Sequence, residues 1–152
     1  MPRPTAELCR ALRARGLGVL LMGGPSDVPF SLSVLAAGAG DVVDCVGRTS
    51  LRDAIAILES AAIAIGPDSG PMHIATAVGT PVVGLFGATS PARSGPWGWH
   101  HLVARGDVPC APCYLSRCPI GQLCMERITP ALVTERVEQV LAGKAVRQEW
   151  YG

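Results

Sequence analysis

The feature that most constrains the fold is a regular alternation of short apolar runs with segments of helical spacing. Four apolar runs are predicted to be strands: residues 17–22, 42–46, 62–65 and 81–86. The segments predicted to be helices are residues 5–15, 28–39, 51–61, 71–78 and 130–141. Short strands that alternate with helices are typical of a parallel sheet covered on both faces. We therefore expect an α/β fold with a Rossmann-like parallel sheet and helices on both faces.

Residues at the ends of the helical segments support this assignment. Gly16 is predicted to end the first helix, because glycine readily adopts the left-handed conformation found after many helices. Ser50 and Thr129 are predicted N-caps, and Asp53 lies at the N-terminal end of its helix, where a negative charge is favourable. Pro130 suits the first position of the last helix.

The length and composition favour one compact domain. The 152 residues are 49% hydrophobic and 16% charged, which excludes a disordered chain and allows a sizeable core. We predict a single domain over residues 1–152, with a core at about 17–141, a Cys-rich loop at 110–124 and a loose tail at 143–152. The formal net charge of +1 gives no overall field for nucleic acid or an anionic membrane, so an anion must be bound by local groups.

The N-terminal segment resembles a signal peptide only superficially. Arginines precede the apolar run at residues 17–22, but this run is shorter than the usual apolar region of about 7–15 residues and no cleavage site is convincing. No stretch approaches the roughly 18 apolar residues of a membrane span. We therefore predict a buried strand here and a cytoplasmic protein.

Four glycine-containing loops follow the predicted strands. They are residues 23–27, 47–50, 66–70 and 87–98. In open parallel sheets, ligands bind outside the carboxyl ends of the strands. The four loops are therefore expected to meet at one edge and to form a site. In the last loop, Arg93 is either a ligand for a diphosphate or a solvated residue.

The third loop has the composition of an anion site. It reads GPDSGPMH from Gly66 and leads directly into a predicted helix. The first-turn amides after Gly70 would point outward with the positive end of the helix dipole, and Ser69 and His73 could each donate to the same anion. Asp68 would repel a phosphate, so it is expected to accept from a hydroxyl or from backbone amides. The alternative is a structural strand–helix junction with an Asx turn.

Cysteine and histidine clusters suggest further sites. Four cysteines fall close together: Cys110, Cys113, Cys118 and Cys124. They could hold a structural zinc, form disulfides or remain unligated thiols, and we predict no metal site and no cofactor. Cys9 and Cys45 are predicted to be small core residues. His100 and His101 are adjacent and would point to opposite faces of a strand, which favours packing over metal binding.

Several segments together resemble a known family. They are GGPSD at 23–27, VGRTSLRDAIAILESA at 46–61, GPDSGPMHIATAVGTPVVGLFGATSP at 66–91 and GPWG at 95–98. This series resembles the C-terminal half of glycosyltransferase family 9, the ADP-heptose:lipopolysaccharide heptosyltransferases of Gram-negative bacteria. The resemblance implies the C-terminal half of a GT-B fold, in which two Rossmann-like domains face a cleft and the C-terminal one binds the nucleotide sugar.

The resemblance also implies roles for particular residues. The positions that match the family's ADP-contacting motif are Asp68, Ser69, Gly70 and His73. Thr49 matches a position beside the nucleotide. Asp27 stands where the family often has a glutamate that meets the ribose or base, and its side chain is shorter by one methylene.

The activity that the resemblance implies is inverting transfer of a sugar from ADP-heptose or a similar nucleotide sugar to the lipopolysaccharide core. In the family, the catalytic aspartate and the surface for the lipid A–core acceptor belong to the N-terminal half, so no residue of this sequence is assigned as the base. We expect the donor-binding half of the enzyme, which would act on the acceptor only if the N-terminal half is supplied. The alternative is a nucleotide-sugar-binding module without turnover. The implied location is cytoplasmic, with peripheral association at the inner face of the inner membrane as a further option.

Overall fold

The computed structural model describes residues 1–99 and 102–143. His100, His101 and all of the predicted tail beyond Gly143 lie outside the described residues. The chain divides into two compact units, Met1–Ala54 and Ile55–Gly152. Each unit is built around a parallel sheet.

The first unit carries a two-stranded parallel sheet. Its elements are α1 (Pro2–Arg13), β1 (Leu20–Leu21), a 3₁₀ turn (Pro25–Asp27), α2 (Val28–Ala36) and β2 (Val43–Asp44). Strands β1 and β2 pair in register, Leu20 with Val43 and Leu21 with Asp44. Helix α3 (Leu51–Ser60) then leads from this unit into the second.

The core of the first unit lies between its two helices and its sheet. Ala6 and Cys9 of α1 are buried with Val34 and Ala39, and Leu21 of β1 packs against this cluster. The arginines of α1 are exposed, and two of them bond to the segment that follows α2: Arg10 donates to the Gly38 carbonyl, and Arg13 pairs with Asp41. Burial raises the pKa of the Cys9 thiol. The prediction that Cys9 is a small core residue is thus confirmed.

The second unit carries a three-stranded parallel sheet. Its remaining elements are β3 (Ala64–Pro67), α4 (Gly70–Ala77), β4 (Val82–Phe86), α5 (Pro91–Ser94), β5 (Ala104–Arg105), α6 (Leu123–Glu126) and α7 (Pro130–Leu141). The strand order is β3-β4-β5, and β4 is buried along nearly its whole length. Helix α4 packs against β3 and β4, and α7 packs against β4 and β5. Because parallel strands end at the same edge, the loops after β3 and β4 are neighbours.

The helix-end signals of the sequence are largely confirmed. The Thr129 hydroxyl oxygen accepts from the Leu132 amide, and α7 begins at Pro130. Ser50 and Asp53 bond reciprocally at the start of α3: the Ser50 amide and hydroxyl donate to the Asp53 carboxylate, and the Asp53 amide donates to the Ser50 hydroxyl oxygen. Gly16 has the left-handed φ of 79°, but α1 ends at Arg13 with Ala14 as its C-cap, earlier than the predicted end at residue 15.

Other predicted bounds are wrong. Helix α2 ends at Ala36, not at residue 39, and residues 17–22 contribute only Leu20–Leu21 as a paired strand. The sequence also allows a strand at residues 101–104, whereas the described strand is Ala104–Arg105 and His101 lies outside the described residues. Cys45 is partly exposed, so it is not a core residue. Within the described residues, every helix falls short of the length and apolarity that a membrane span requires.

Candidate functional site

The junction between β3 and α4 places four predicted site residues in one turn. Asp68 and Ser69 follow the end of β3, and Gly70 is the first residue of α4. Ser69 is the N-cap residue, with an extended backbone at φ −157° and ψ 166°. The amides of Met72 and His73 bond to the Ser69 carbonyl. The Gly70 amide has no hydrogen-bond partner among residues 1–99 and 102–143.

The Ser69 side chain does not cap the helix. Its hydroxyl donates to the Pro67 carbonyl at 3.1 Å, back along the chain. To donate to a phosphate, as the sequence predicts, the hydroxyl must leave this partner. The positive end of the α4 dipole is therefore free of a side-chain cap.

Asp68 accepts a hydrogen bond from a hydroxyl, as its sequence context predicts. The partner is Ser94 Oγ, which donates to Asp68 Oδ2 at 2.6 Å from the end of α5. The Asx-turn alternative, in which Asp68 would accept from the Gly70 amide, is not found among the described hydrogen bonds. The Asp68 side chain is only 18% exposed, because the loop after β4 covers it.

His73 lies beside the same carboxylate. Its Nε2 is 3.7 Å from Asp68 Oδ1, too long for a hydrogen bond but close enough for an electrostatic attraction when the ring is protonated. The His73 side chain is 51% exposed, so its ring remains accessible to a ligand. Asp68 thus holds Ser94 through one oxygen and faces His73 through the other.

Ser94 is a site residue that the sequence reasoning missed. The sequence pattern placed it only in a loop expected at the same edge as Asp68, and nothing local marks it as a partner 26 residues away. Its neighbour Arg93 lies over the ring of Tyr114, with 5.4 Å between the guanidinium carbon and the ring centroid. Arg93 therefore has a cation–π partner in the Cys-rich loop, in addition to its exposure to solvent.

The two predicted site residues of the first unit lie at the ends of β1 and β2. Asp27 Oδ2 accepts from the Gly24 amide at 2.9 Å, so this carboxylate stabilises its own 3₁₀ turn. Thr49 is partly buried just before the N-cap of α3. The loops after β1 and β2 meet, since the Gly47 amide donates to the Gly23 carbonyl at 2.9 Å. The roles that the family resemblance implies for Asp27 and Thr49 remain predictions, as does the meeting of all four loops at one edge.

The cluster of four cysteines lines one cavity of about 100 Å³. All six cysteines of the chain are free thiols, so the disulfide alternative is wrong for this structure. Within residues 1–99 and 102–143, no group of three or more His, Cys, Asp or Glu side chains is placed to hold a metal ion. The amide of Gln122 donates to Cys118 Sγ at 3.2 Å.

The β3–α4 junction has the chemistry of an anion site. It offers a free backbone amide, a helix dipole and an accessible imidazole within one turn. Its one carboxylate is already bonded to a hydroxyl and is mostly covered, so it is poorly placed to take a proton from an incoming group. The geometry therefore supports binding of a negatively charged group at this junction, and the described residues suggest no general base there.

The chain is similar to known proteins. The family model described as "Glycosyltransferase family 9 (heptosyltransferase)" matches residues 4–124. The chain is 29% identical over 150 residues to lipopolysaccharide heptosyltransferase 1 of Pseudomonas aeruginosa, an alignment that covers 89% of the chain and 42% of that protein. The chain thus spans less than half the length of this relative.

The solved structures that resemble the chain include two glycosyltransferase structures. One is the E. coli ADP-heptose lps heptosyltransferase II, with a TM-score of 0.77, 26% identity, and coverage of 96% of this chain and 43% of that one. The other is a glycosyl transferase family 9 protein from Veillonella parvula, with a TM-score of 0.79, 22% identity, and coverage of 94% and 42%. The predicted α/β, Rossmann-like fold is confirmed by both.

Proposed function

Because the chain belongs to glycosyltransferase family 9, the heptosyltransferase family, we propose that it binds the nucleotide-sugar donor of a heptosyl transfer reaction. The proposed donor is ADP-heptose or a similar nucleotide sugar. The proposed reaction is inverting transfer to the lipopolysaccharide core, which needs an acceptor-binding half that contributes the base. In this proposal the chain forms the C-terminal half of a GT-B architecture and acts in the cytoplasm, with peripheral association at the inner face of the inner membrane as a further option.

The observation that carries this proposal is the uncapped start of α4. An Asp and a Ser, both residue types that often cap helices, precede α4, yet the side chain of neither accepts from a first-turn amide. The Gly70 amide and the His73 ring are left for a ligand. A diphosphate at this position would be stabilised by the helix dipole and by hydrogen bonds that are strengthened by its charge.

The same contacts explain how the site would assist the reaction. When the sugar leaves ADP, negative charge develops on the diphosphate, and donors already fixed at a helix N-terminus stabilise that charge. His73 would supply a further donor. The second candidate is a nucleotide-sugar-binding module without turnover, and it is favoured because the one carboxylate at the β3–α4 junction is bonded to Ser94 and mostly covered.

Calorimetry with ADP, ADP-heptose and UDP on the wild type, His73→Ala and Ser69→Ala tests the donor site. We expect ADP and ADP-heptose to bind. His73→Ala should lower ADP affinity about tenfold, which corresponds to the free energy that one hydrogen bond to a charged group contributes. Ser69→Ala should cost less, because its hydroxyl must first leave the Pro67 carbonyl.

Two results would contradict the proposal in different ways. Negligible heats with every nucleotide would exclude a nucleotide site. If His73→Ala and Ser69→Ala both bind ADP as tightly as the wild type does, the phosphate binds elsewhere. Adenosine, which has no phosphate, serves as the matched ligand: its affinity should be equal in the wild type and in His73→Ala.

A further inference from the structure

Ser94 makes the shortest described contact to the proposed donor site. Its hydroxyl oxygen is 2.6 Å from Asp68 Oδ2 and 3.5 Å from the Ser90 carbonyl. A hydroxyl has one proton, so the short contact to the carboxylate takes it, and the contact to Ser90 is at the limit of a hydrogen bond. A hydrogen bond from a hydroxyl to a carboxylate at this distance is among the strong ones.

Asp68 is placed where it could compete with a ligand. An aspartate readily accepts from the amide two residues further on, forming an Asx turn, and that amide here belongs to Gly70. Within the described part of the chain, the Gly70 amide is the first-turn amide of α4 that has no hydrogen-bond partner. The Asp68 carboxylate instead accepts from Ser94, and no hydrogen bond from the Gly70 amide to it is found among the described residues.

We propose that Ser94 is a positioning residue that holds the Asp68 carboxylate away from the first turn of α4 and thereby keeps the Gly70 amide available to the phosphate of the donor. This inference rests on the proposed function for its ligand, and on the described hydrogen bonds for its mechanism. Without the Ser94 hydroxyl, the carboxylate turns to Gly70. The carboxylate then accepts the hydrogen bond of the Gly70 amide and adds a negative charge where the diphosphate binds.

The same orientation fixes the second oxygen of Asp68. With Oδ2 on Ser94, Oδ1 faces His73 Nε2 at 3.7 Å. Loss of the Ser94 bond therefore also removes the group that faces the His73 ring. Both consequences weaken a phosphate contact, and neither touches the base or sugar of the nucleotide.

The first test measures binding of ADP and of adenosine to Ser94→Ala. We expect ADP affinity to fall about fivefold, which corresponds to the free energy of one helix-capping hydrogen bond. Adenosine affinity should stay unchanged. Ser94→Thr keeps the hydroxyl and should restore ADP binding. Ser90→Ala, the same chemical change four residues earlier, should have no effect. In the Asp68→Ala background, Ser94→Ala should cause no further loss.

The second test needs no ligand. Solvent exchange of the Gly70 amide, measured by NMR, should be several-fold slower in Ser94→Ala than in the wild type, because the released carboxylate then accepts from that amide. Unchanged Gly70 exchange would overturn the proposal whatever happens to ADP binding. Equal losses of ADP and adenosine affinity would also overturn it, since they indicate general damage. If the wild type binds no ADP, the proposed function fails, and the exchange measurement still decides the role of Ser94.

Discussion

Asp53 shows how a single exposed carboxylate contributes to the stability of this chain. The Ser50 hydroxyl and then the Ser50 amide donate to it, and these hydrogen bonds lower the pKa of Asp53 from its ordinary value of 3.8. A carboxylate with a lowered pKa in the folded state stabilises that state above its ordinary pKa. This contribution is lost as the pH falls through the lower, folded value.

Asp53→Asn should therefore lower the free energy of unfolding near neutral pH and make progressively less difference as the solution becomes acidic. The measurement is urea denaturation of both proteins from about pH 6 to about pH 3. Glu59→Gln removes a carboxylate from the same helix and serves as the control. A difference between Asp53→Asn and the wild type that stays constant over this range would show that the hydrogen bonds with Ser50 do not stabilise the charged form.

At the site, the sequence predicted which residues lie at the β3–α4 junction better than it predicted their hydrogen-bond partners. The sequence indicated an anion site because Asp68, Ser69, Gly70 and His73 fall between a strand and a helix. It also indicated that Asp68 accepts from a hydroxyl. It could not identify Ser94 as that hydroxyl, because the bond joins two loops whose proximity depends on the pairing of β3 with β4.

Among the elements, helix ends were predicted better than strand lengths. Helix α7 has the predicted bounds because Thr129 and Pro130 define its start through local chemistry. Helix α1 begins at Pro2, whereas the prediction began at Thr5. Proline is well tolerated in the first turn of a helix, because the amides there need no intrahelical partner. Strand β1 is shorter than its apolar run, because the paired length depends on the neighbouring strand and not on hydrophobicity.

Strand β5 is followed by a close backbone approach that constrains the Cys-rich segment. A Cβ at Gly106 would lie against the backbone carbonyl oxygen of Cys124, well inside the contact distance, with the Arg127 side chain also close. Only glycine allows the segment that contains α6 to pack this closely against the end of β5. The glycine therefore has a packing role that its sequence context does not reveal.

Gly106→Ala should destabilise the protein by about 3 kcal/mol, in the upper part of the range for overpacking, because a backbone segment and not a flexible side chain must move. Thermal and urea denaturation would measure the loss. Gly18→Ala is the matched control, since a Cβ there meets nothing within 4 Å and the backbone is not left-handed. Equal stability of the two variants would indicate that the end of β5 and α6 do not pack as closely as described.

At the scale of the whole molecule, the described residues offer the chemistry of an anion site at the start of α4, and none of them at that junction is placed to act as a base. The second unit brings Asp68, His73 and Ser94 together at the carboxyl edge of its sheet, where parallel α/β folds bind ligands. The chain spans 42% of the Pseudomonas aeruginosa relative, so more than half of that protein has no counterpart among these residues. We infer that donor binding and sugar transfer can be separated experimentally.

A chimera tests this separation. The matched region of Pseudomonas aeruginosa lipopolysaccharide heptosyltransferase 1 is replaced by this chain, and heptose transfer to a lipopolysaccharide core acceptor is followed by mass spectrometry beside the unmodified relative. We expect the chain alone to bind ADP-heptose without transfer and the chimera to transfer heptose. His73→Ala in the chimera should lower kcat/KM about tenfold, through the phosphate contact proposed above. Transfer by the chain alone would contradict the proposal that the base lies outside these residues, whereas full activity of the His73→Ala chimera would contradict the role of His73.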